Sequence, residues 1–493
     1  MPNHKKLGLF EERGGTMLEL YNTLTRQVDT FTPQSSEAVT LYTCGPTVYS
    51  EPHIGNWVAY LRWDMLVRVL RASGYNVKRV MNITDVGHLT SDADEGEDKM
   101  EKGARREGVT AWEVAERYTN RFLEGMTALN LEPPEYMTKA TEYIFQQVTL
   151  VQTLEKNGFT YPTSDGIYFD TSKFPTYPDF ARLDLGALKE GARVETNAEK
   201  RNPSDFALWK RTPAGVTRDM EWDSPWGKGF PGWHLECSAM AMEYLGDTLD
   251  IHTGGIDHIP VHHTNEIAQS EAATGKRFSN YWLHCAHLLS DGTKLAKSLG
   301  NSYTLAEIEQ RGFSAMDFRM FILQSHYRTE TNFSFENLES AHNRLSRWRA
   351  VACLRWQTHD TLVDDDDKDS AGRVSGIMLA APHAALEALQ NDLGTPEALA
   401  IIDAAFEAVE TAPVEKVQHD ALTQLIVWID DVLGLKLAHD TPDISDDQKR
   451  RILERQRARD SKDWAMSDRL RNELADVGIV LKDTAVRTLW SRS

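Results

Sequence analysis

Apolar residues near the start of the chain follow first the pattern of a buried strand and then that of a helix. Residues 38–43 form a short apolar run, which is typical of a strand covered on both faces. Beyond Pro52, apolar residues recur at the spacing of one helix face, and Ser73-Gly74 would end that helix. Residues 77–83 predict the next strand. This strand–helix–strand order predicts a parallel sheet that binds ligands at the carboxyl ends of its strands.

The same kind of pattern returns much later in the chain, so we expect the sheet to be split. Residues 249–252 and 281–289 predict strands, residues 254–255 a glycine loop, and residues 262–273 a helix. Between the two halves, residues 158–230 are rich in glycine, proline and tryptophan and predict an insertion.

The remainder of the chain is mostly helical in its periodicity. Residues 314–437 predict a set of helices, interrupted by the acidic run 364–370, which we interpret as a solvated loop. Residues 440–447 predict a linker, and residues 448–493 a small α/β unit whose helix is dense in lysine and arginine.

Composition narrows the class of protein. With 493 residues, 41% of them hydrophobic, the chain can bury the cores of several domains. Its four cysteines are too few and too scattered for a disulfide framework. Residues 1–15 lack the apolar stretch of a secretory signal, and no run reaches membrane-spanning length. We therefore expect a soluble, cytoplasmic protein with no membrane partner, and its formal net charge of -20 argues against general nucleic-acid binding without excluding a local basic surface.

Four residues from three separate segments could together bind a soft metal ion. Cys44 follows the first strand, Cys237 ends the sequence Gly-Trp-His-Leu-Glu-Cys, and His262 and Glu266 are four residues apart on one helix face. Zinc accepts thiolate, imidazole and carboxylate ligands. Each signal alone is weak, because a single buried cysteine is usually a small hydrophobe and a His-x-x-x-Glu pair is usually an ordinary surface pair.

Two further segments carry residues suited to phosphate. His53 and Asn56 lie where a strand gives way to a helix, and a helix N-terminus favours anions. Lys294 and Lys297 lie in a loop after a strand and a turn, where they could bind triphosphate oxygens. A polar helix start and a basic surface loop are the ordinary alternatives.

The segment from His252 to Asp257 could hold a nucleoside. Its two glycines would let a flat base approach the backbone. The Asp257 carboxylate could accept hydrogen bonds from ribose hydroxyls. Gly-Gly loops are common, so this signal too is weak by itself.

Taken in their order along one split sheet, these motifs resemble those of the cysteinyl-tRNA synthetase family of class I aminoacyl-tRNA synthetases. The resemblance extends from about residue 17 to the C-terminus, and it rests on many matches in the same order. The segments that carry it are residues 43–49, 53–56, 82–85, 225–226, 231–238, 250–252, 262–270 and 294–298.

The resemblance implies an enzyme that activates L-cysteine with ATP and Mg²⁺ and then transfers it to tRNA(Cys). It also implies one Zn²⁺ per chain, which selects the thiol and is bound by Cys44, Cys237, His262 and Glu266. The catalytic residues that it implies are His53, Asn56, Lys294 and Lys297. Residues implied for the nucleotide are His53, Asn56, Lys297, Gly255 and Asp257, and those for the amino acid are Thr84, Trp233 and His252.

Three motif segments depart from the family pattern. Asn56 replaces the last histidine of the HIGH motif, and its amide can still donate a hydrogen bond. The KMSKS loop has the sequence Lys-Leu-Ala-Lys-Ser, so Ala296 lacks a hydroxyl. Val261 and Thr264 change the flanks of the His-His-x-Asn-Glu segment but leave its ligand positions intact.

The resemblance also implies a division into domains and a monomer. We expect a Rossmann-like catalytic domain in two halves around an insertion, followed by helices and a small anticodon-binding unit. The expected boundaries are an extension at 1–16, the first catalytic half at 17–132, the connective insertion at 133–230, the second catalytic half at 231–312, the stem-contact and helical bundle domain at 313–440, and the anticodon-binding domain at 441–493.

The basic C-terminal helix is the candidate tRNA contact. Arg455, Arg459 and Trp464 supply the charge and the aromatic surface that suit single-stranded bases. The alternative, a solvated helix with tryptophans in a small core, is equally compatible with the composition. The resemblance favours anticodon binding.

Two other functions share parts of this pattern. A ligase that joins cysteine to an aminosugar would keep the zinc and ATP sites but lack an anticodon-binding tail, whereas residues 448–493 are present. A non-catalytic RNA-binding paralogue with structural zinc would be expected to have lost His53 or Lys297, and both are present.

Overall fold

Sixteen strands are found among the residues that the computed structural model describes, namely 17–87, 98–184, 199–212, 215, 217–290, 292–295, 301–357, 368–414, 417–484 and 488–492. The strands are β1 (Glu19–Asn22), β2 (Gln27–Thr30), β3 (Val39–Thr43), β4 (Val77–Ile83), β5 (Tyr136–Lys139), β6 (Thr160–Thr163), β7 (Gly166–Phe169), β8 (Phe206–Arg211), β9 (Gly229–Pro231), β10 (Leu249–Gly255), β11 (Ser279–Cys285), β12 (Leu288–Ser290), β13 (Thr293–Lys294), β14 (Thr331–Phe333), β15 (Ile479–Asp483) and β16 (Thr488–Arg492).

Helices cover the strands and form most of the chain beyond residue 314. In the N-terminal half they are α1 (Ile54–Ala72), α2 (Lys99–Glu107), α3 (Ala111–Ala128), α4 (Ile144–Lys156), α5 (Trp233–Leu245) and α6 (Thr264–Thr274). Further along they are α7 (Leu305–Glu309), α8 (Ala315–Leu323), α9 (Phe335–Cys353), α10 (Lys368–Gln390), α11 (Thr395–Thr411), α12 (His419–Leu433), α13 (Leu437–Asp440), α14 (Asp446–Asp460) and α15 (Trp464–Ala475). None of the helices in the described part of the chain is both long enough and apolar enough to span a membrane.

Five parallel strands form the central sheet, in the order β11-β10-β3-β4-β5. β3 and β4 are almost completely buried, as expected of strands covered on both faces, although β4 carries Lys78, Arg79 and Asn82 among its apolar residues. The connection from β3 through α1 to β4 runs to one side, while that from β10 through α6 to β11 runs to the other. The side to which the helical connections run therefore reverses between β3 and β10, and this reversal opens a cleft at the carboxyl ends of the two strands. The predicted α/β class with a split parallel sheet is confirmed.

A buried ion cluster joins the sheet domain to the helices that follow it. Asp64 of α1 accepts hydrogen bonds from Arg319 of α8 at 2.6 Å and from Arg68 at 2.8 Å, and both Asp64 and Arg319 are fully buried. Arg319 also donates to the carbonyl oxygens of Leu433 at 2.7 Å and Leu129 at 2.9 Å. Although burial raises the pKa of Asp64, the two guanidinium groups hold it below its usual value. One apolar core runs through both regions.

The insertion and the C-terminal unit each have their own small sheet. Strands β6, β7, β8 and β9 pair in that order as an antiparallel sheet within the insertion. In the C-terminal unit, α14 and α15 pack with the β15–β16 hairpin around Ile452, Leu474, Ile479 and Trp490. The Gln357 side chain holds this unit to α9 because it exchanges two hydrogen bonds, each 2.9 Å, with the backbone of Trp490.

Three predictions about the elements are wrong in detail. Gly254 and Gly255 end strand β10 and do not form a loop. A glycine is needed at 254 because a Cβ there would lie 2.5 Å from the His263 ring, so the requirement is a close approach and not a turn. The predicted strand 281–289 is two strands, β11 and β12, separated by two residues. The acidic run 364–370 was predicted as a loop, but its described residues from Lys368 onward belong to α10.

Candidate active site

A cavity of about 510 Å³ lies at the carboxyl ends of β3, β4, β10 and β11. The loops after these strands and the start of α1 supply its walls. It is lined by residues of all three predicted groups, including Cys44, His53, Thr84, Trp233, Asp257 and His262. The cavity therefore occupies the position at which a doubly wound sheet binds its ligands.

Sulfur, nitrogen and oxygen donors converge beside this cavity, and Cys44, Cys237 and His262 are among its lining residues. One donor atom from each of Cys44, His262, His263 and Glu266 lies within 4.8 Å of the other three, and all four residues are buried. His262 and His263 close a short π-helical turn, Ile259–His263, that leads directly into α6. This turn presents both rings on the same side as Glu266, at distances from its Oε2 of 3.7 Å and 3.8 Å.

Cys237 belongs to the same cluster, although it lies outside the tightest group of four. Its thiol is hydrogen-bonded to that of Cys44, and it is the fifth residue of α5. The sequence predicts Cys237 as a ligand but not His263, whose Nε2 lies 3.6 Å from the Cys44 sulfur. The doubled histidine at 262–263 was the available signal, but the resemblance assigned only its first member.

The donor set fits zinc. Thiol, imidazole and carboxyl groups are the ligands that this ion uses. Burial raises the pKa of Glu266 well above its usual value, and Oε2 of this residue has no hydrogen-bond partner within the described ranges. The hydrogen bond with Cys237, followed by burial, raises the pKa of Cys44. A divalent cation would reverse these tendencies, because it stabilises the anionic forms of both groups.

Other histidines hold the two candidate ligand rings in place. Nδ1 of His262 lies 2.9 Å from Nδ1 of His234. Nδ1 of His263 lies 2.7 Å from Nε2 of His284, whose other ring nitrogen lies 2.7 Å from the hydroxyl of Thr23. Each candidate ring thus directs its Nε2 toward Glu266 while its Nδ1 is hydrogen-bonded, an arrangement typical of ligating histidines.

The His-Ile-Gly-Asn segment forms the N-terminus of α1. His53 is the N-cap, and its Nδ1 accepts a hydrogen bond of 3.1 Å from the Gly55 N–H. Oδ1 of Asn56 accepts one of 3.0 Å from the His53 N–H, which completes a capping box. Since the oxygen of the Asn56 amide is used in this way, its N–H₂ group is the end that could donate to a phosphate.

Both ends of the lysine loop lie against the start of α1. Lys294 ends the short strand β13, and a Cδ1 atom of Leu295 would lie 3.7 Å from a Cβ at Gly55. On the far side of the loop, the Tyr303 carbonyl accepts a hydrogen bond of 2.7 Å from the Ile54 N–H. Lys297 and the Lys294 side chain lie outside the described part of the chain. Leu295 and Tyr303, on the two sides of the loop, therefore both lie beside the HIGH-like segment.

The remaining predicted pocket residues fall into two groups. Thr84, Trp233, Gly255 and Asp257 all line the cavity, and the Trp233 ring centre lies 4.5 Å from that of His262. His252 does not belong with them. It is fully buried one layer behind the cavity, where its Nε2 lies 3.3 Å from Glu266 Oε1, so it contacts the candidate ligand and not the pocket.

The predicted tRNA contacts in the C-terminal unit differ widely in exposure. Trp464 begins α15 and is 58% exposed. Arg455 is buried and forms two hydrogen bonds to Asp483, at 2.7 Å and 2.9 Å. Arg459 is also ion-paired with Asp483, and these interactions lower the pKa of the aspartate. The charge of Arg455, which was predicted as a tRNA contact, is therefore paired with a carboxylate inside the unit.

Comparison with protein families places this site in a known class. Residues 30–343 match the model of the family described as tRNA synthetases class I (C) catalytic domain. Residues 441–490 match the family described as cysteinyl-tRNA ligase anticodon binding domain. The fold and the first of these matches define a class I aminoacyl-tRNA synthetase.

Relatives identify the branch of that class. The chain is 45% identical over 471 residues to cysteine–tRNA ligase 1 of Burkholderia lata, covering 95% of each chain. It is 40% identical to cysteine–tRNA ligase of Treponema denticola, covering 96% of this chain and 99% of the relative. The chain belongs to the cysteine–tRNA ligase family.

Solved structures resemble the chain in fold. A methionyl-tRNA synthetase of Mycobacterium tuberculosis in complex with methionyl-adenylate aligns with a TM-score of 0.58 at 14% identity, over 82% of this chain and 93% of that one. A LeuRS of Agrobacterium radiobacter K84 in a ternary complex aligns with a TM-score of 0.59 at 12% identity, over 84% and 86% of the two chains. At this identity the likeness supports the class I fold alone.

Proposed function

We propose that the protein activates L-cysteine with ATP to cysteinyl-adenylate and then transfers the cysteinyl group to tRNA(Cys). The observation that carries this proposal is the convergence of Cys44, Cys237, His262 and Glu266 beside a cavity that His53 also lines. A thiol-binding end and a phosphate-binding end in one cavity suit a substrate that carries both a sulfur atom and a carboxylate to be activated.

Zn²⁺ would be held by Cys44, Cys237, His262 and Glu266, with His263 next to them. The ion supplies selectivity, because it binds a thiolate more strongly than the hydroxyl of serine. Around it, the chain provides orientation through the hydrogen-bonded rings of His234 and His284. A pocket that sensed size alone would separate two such similar amino acids poorly.

At the other end, the chain positions ATP and stabilises its developing charge. The carboxylate of the amino acid attacks the α-phosphate of ATP, presented with Mg²⁺, and pyrophosphate leaves. This step needs little proton transfer, so positioning and charge stabilisation carry it. We assign these roles to His53 and Asn56 at the start of α1 and to Lys294 and Lys297 of the loop beside it, with Gly255 and Asp257 contacting the nucleoside.

Lys297→Ala is expected to lower cysteine-dependent ATP–pyrophosphate exchange by about two orders of magnitude, because one charge-stabilising donor is lost. Steady-state exchange of labelled pyrophosphate into ATP measures this. Lys276→Ala is the matched control, since this exposed lysine only pairs with Asp247 on the surface. Undiminished exchange in the Lys297 variant would exclude the assigned role.

Trp464→Ala is expected to raise the KM for tRNA about tenfold while leaving pyrophosphate exchange unchanged. Stacking of a base on an exposed aromatic ring contributes about 1–3 kcal/mol, and Trp464 lies far along the chain from the cavity residues. Aminoacylation at varied tRNA concentration, with exchange as the internal control, measures both. An unaltered KM for tRNA would remove Trp464 from the tRNA contacts.

We also propose that the protein acts as a monomer in the cytoplasm. All four cysteines are free and buried, which suits a reducing compartment.

One assay of purified protein tests the two alternative functions, aminosugar ligation and non-catalytic RNA binding. In this assay cysteine is offered with tRNA or with an aminosugar. Charging of tRNA with cysteine supports the proposal, whereas ligation to the aminosugar, or neither product, would contradict it.

A further inference from the structure

Glu236 carries a carboxylate beside the cavity, and the proposed function assigns it no role. It lies on α5 immediately before Cys237, and its side chain is fully buried. Its Oε2 accepts a hydrogen bond of 3.0 Å from the hydroxyl of Thr84, which lines the cavity. Glu236 itself is not among the residues that line the cavity.

The hydrogen bond to Glu236 ends a chain of donors whose direction is fixed. The Gly45 N–H donates to Oδ1 of Asn82 at 2.7 Å, and Nδ2 of Asn82 donates to the Thr84 hydroxyl at 3.0 Å. A backbone N–H can only donate, so the Asn82 amide must present its oxygen to Gly45 and its nitrogen to Thr84. The Thr84 hydroxyl therefore accepts a hydrogen bond from Asn82 and donates one to Glu236.

The backbone N–H and carbonyl groups of Thr84 also form hydrogen bonds within the protein. Its N–H donates to the Pro46 carbonyl at 2.9 Å, and its carbonyl accepts from the Val48 N–H at 3.1 Å. A hydroxyl has one proton and two lone pairs. The hydroxyl proton of Thr84 is donated in a hydrogen bond to Glu236, and one of its lone pairs accepts from Asn82. A single lone pair of Thr84 is therefore left for a molecule in the cavity.

We infer that Glu236 is a positioning residue that makes the Thr84 hydroxyl an acceptor only, so that Thr84 binds the ammonium group of the amino acid. This inference rests on the proposed function and adds an orientation to it. An acceptor at the end of β4 attracts the ammonium group and disfavours the carboxylate. The carboxylate is thereby left to face the start of α1, where ATP is to be attacked.

Ligands that differ in one group separate this role from a merely structural one. Cysteine carries thiol, ammonium and carboxylate groups, whereas 3-mercaptopropionate carries the thiol and the carboxylate alone. Calorimetric titration of zinc-loaded protein gives a Kd for each ligand without requiring turnover. In Glu236→Leu the Thr84 proton loses its acceptor, and we expect the Kd of cysteine to rise about 10- to 100-fold, as for loss of a hydrogen bond to a charged group. The Kd of 3-mercaptopropionate is expected to stay within about twofold.

Further variants test the same role if the leucine introduced at position 236 disturbs folding. Thr84→Val is expected to lose affinity for cysteine selectively, and Glu236→Gln to retain most of it, because the amide oxygen can still accept. The double variant Thr84→Val/Glu236→Leu should bind cysteine no more weakly than the weaker single variant, since Glu236 acts through Thr84. Equal weakening of both ligands, or additive losses in the double variant, would overturn the inference. A wild-type protein that binds cysteine in this pattern but shows no exchange would count against the proposed function and not against the role of Glu236.

Discussion

Cys237→Ser is expected to leave the protein without stoichiometric zinc and to abolish most of its preference for cysteine over serine. Cys237 supplies the second sulfur of the cluster, in hydrogen-bond contact with Cys44. Without the metal the pocket can sense only size and polarity. Discrimination in pyrophosphate exchange should then fall from about 10⁴ or more to about 10² or less. Metal analysis of the purified variant, together with exchange rates for both amino acids, measures the two effects.

Two other variants show whether this loss is specific. Cys353→Ser removes an equally buried cysteine from the core beside the C-terminal unit, and it should keep full zinc and full discrimination. His263→Gln removes an imidazole whose Nε2 lies 3.6 Å from the Cys44 sulfur. Full zinc in the Cys237 variant, with loss in the His263 variant, would transfer the fourth ligand position to His263.

Arg319→Ala is expected to lower the free energy of unfolding by about 3–5 kcal/mol, because it leaves the buried Asp64 carboxylate with one fewer positive partner. Arg319 is fully buried and bonds both Asp64 and the backbone carbonyls of Leu129 and Leu433. The loss should therefore appear in the transition shared by the sheet domain and the helices after it. Urea unfolding followed by circular dichroism measures it.

The matched control for that variant is an arginine in an exposed ion pair. Arg450 is paired with Asp447 at 3.2 Å, and its side chain is 70% exposed. Its replacement by alanine should change stability by no more than about 0.5 kcal/mol. If the two variants unfolded at the same urea concentration, the buried cluster would not be holding the two regions together.

The central sheet could be predicted because its strands are buried on both faces. Residues 77–83 were predicted as a strand and are the strand β4, and the predicted strand at 38–43 differs from β3 by one residue. Such strands are rich in apolar residues, and in β4 the apolar Val77, Val80, Met81 and Ile83 outnumber the polar residues. Glycine was a weaker guide, because the same residue serves turns and close contacts. At Gly254 the close contact is with His263, a partner nine residues away.

The site was predictable as a set of residues but not as an arrangement. The family motifs indicated Cys44, His53, Thr84 and Trp233 as site residues, and all four line one cavity. They could not indicate that His263 would lie within reach of Cys44, or that His252 would lie behind Glu266. Charge density could not indicate that Arg455 is ion-paired within the unit, because its partner Asp483 lies 28 residues further on. Only the fold shows which basic side chains are already neutralised.

The measurement that tests this account most directly is ATP–pyrophosphate exchange by the purified, zinc-loaded protein, with cysteine and serine compared in the same preparation. The convergence of thiol, imidazole and carboxyl donors predicts exchange that depends on cysteine, exceeds that with serine by about 10⁴-fold or more, and disappears when a chelator removes the metal. Equal exchange with the two amino acids, or cysteine-dependent exchange that persists at full rate without zinc, would contradict it.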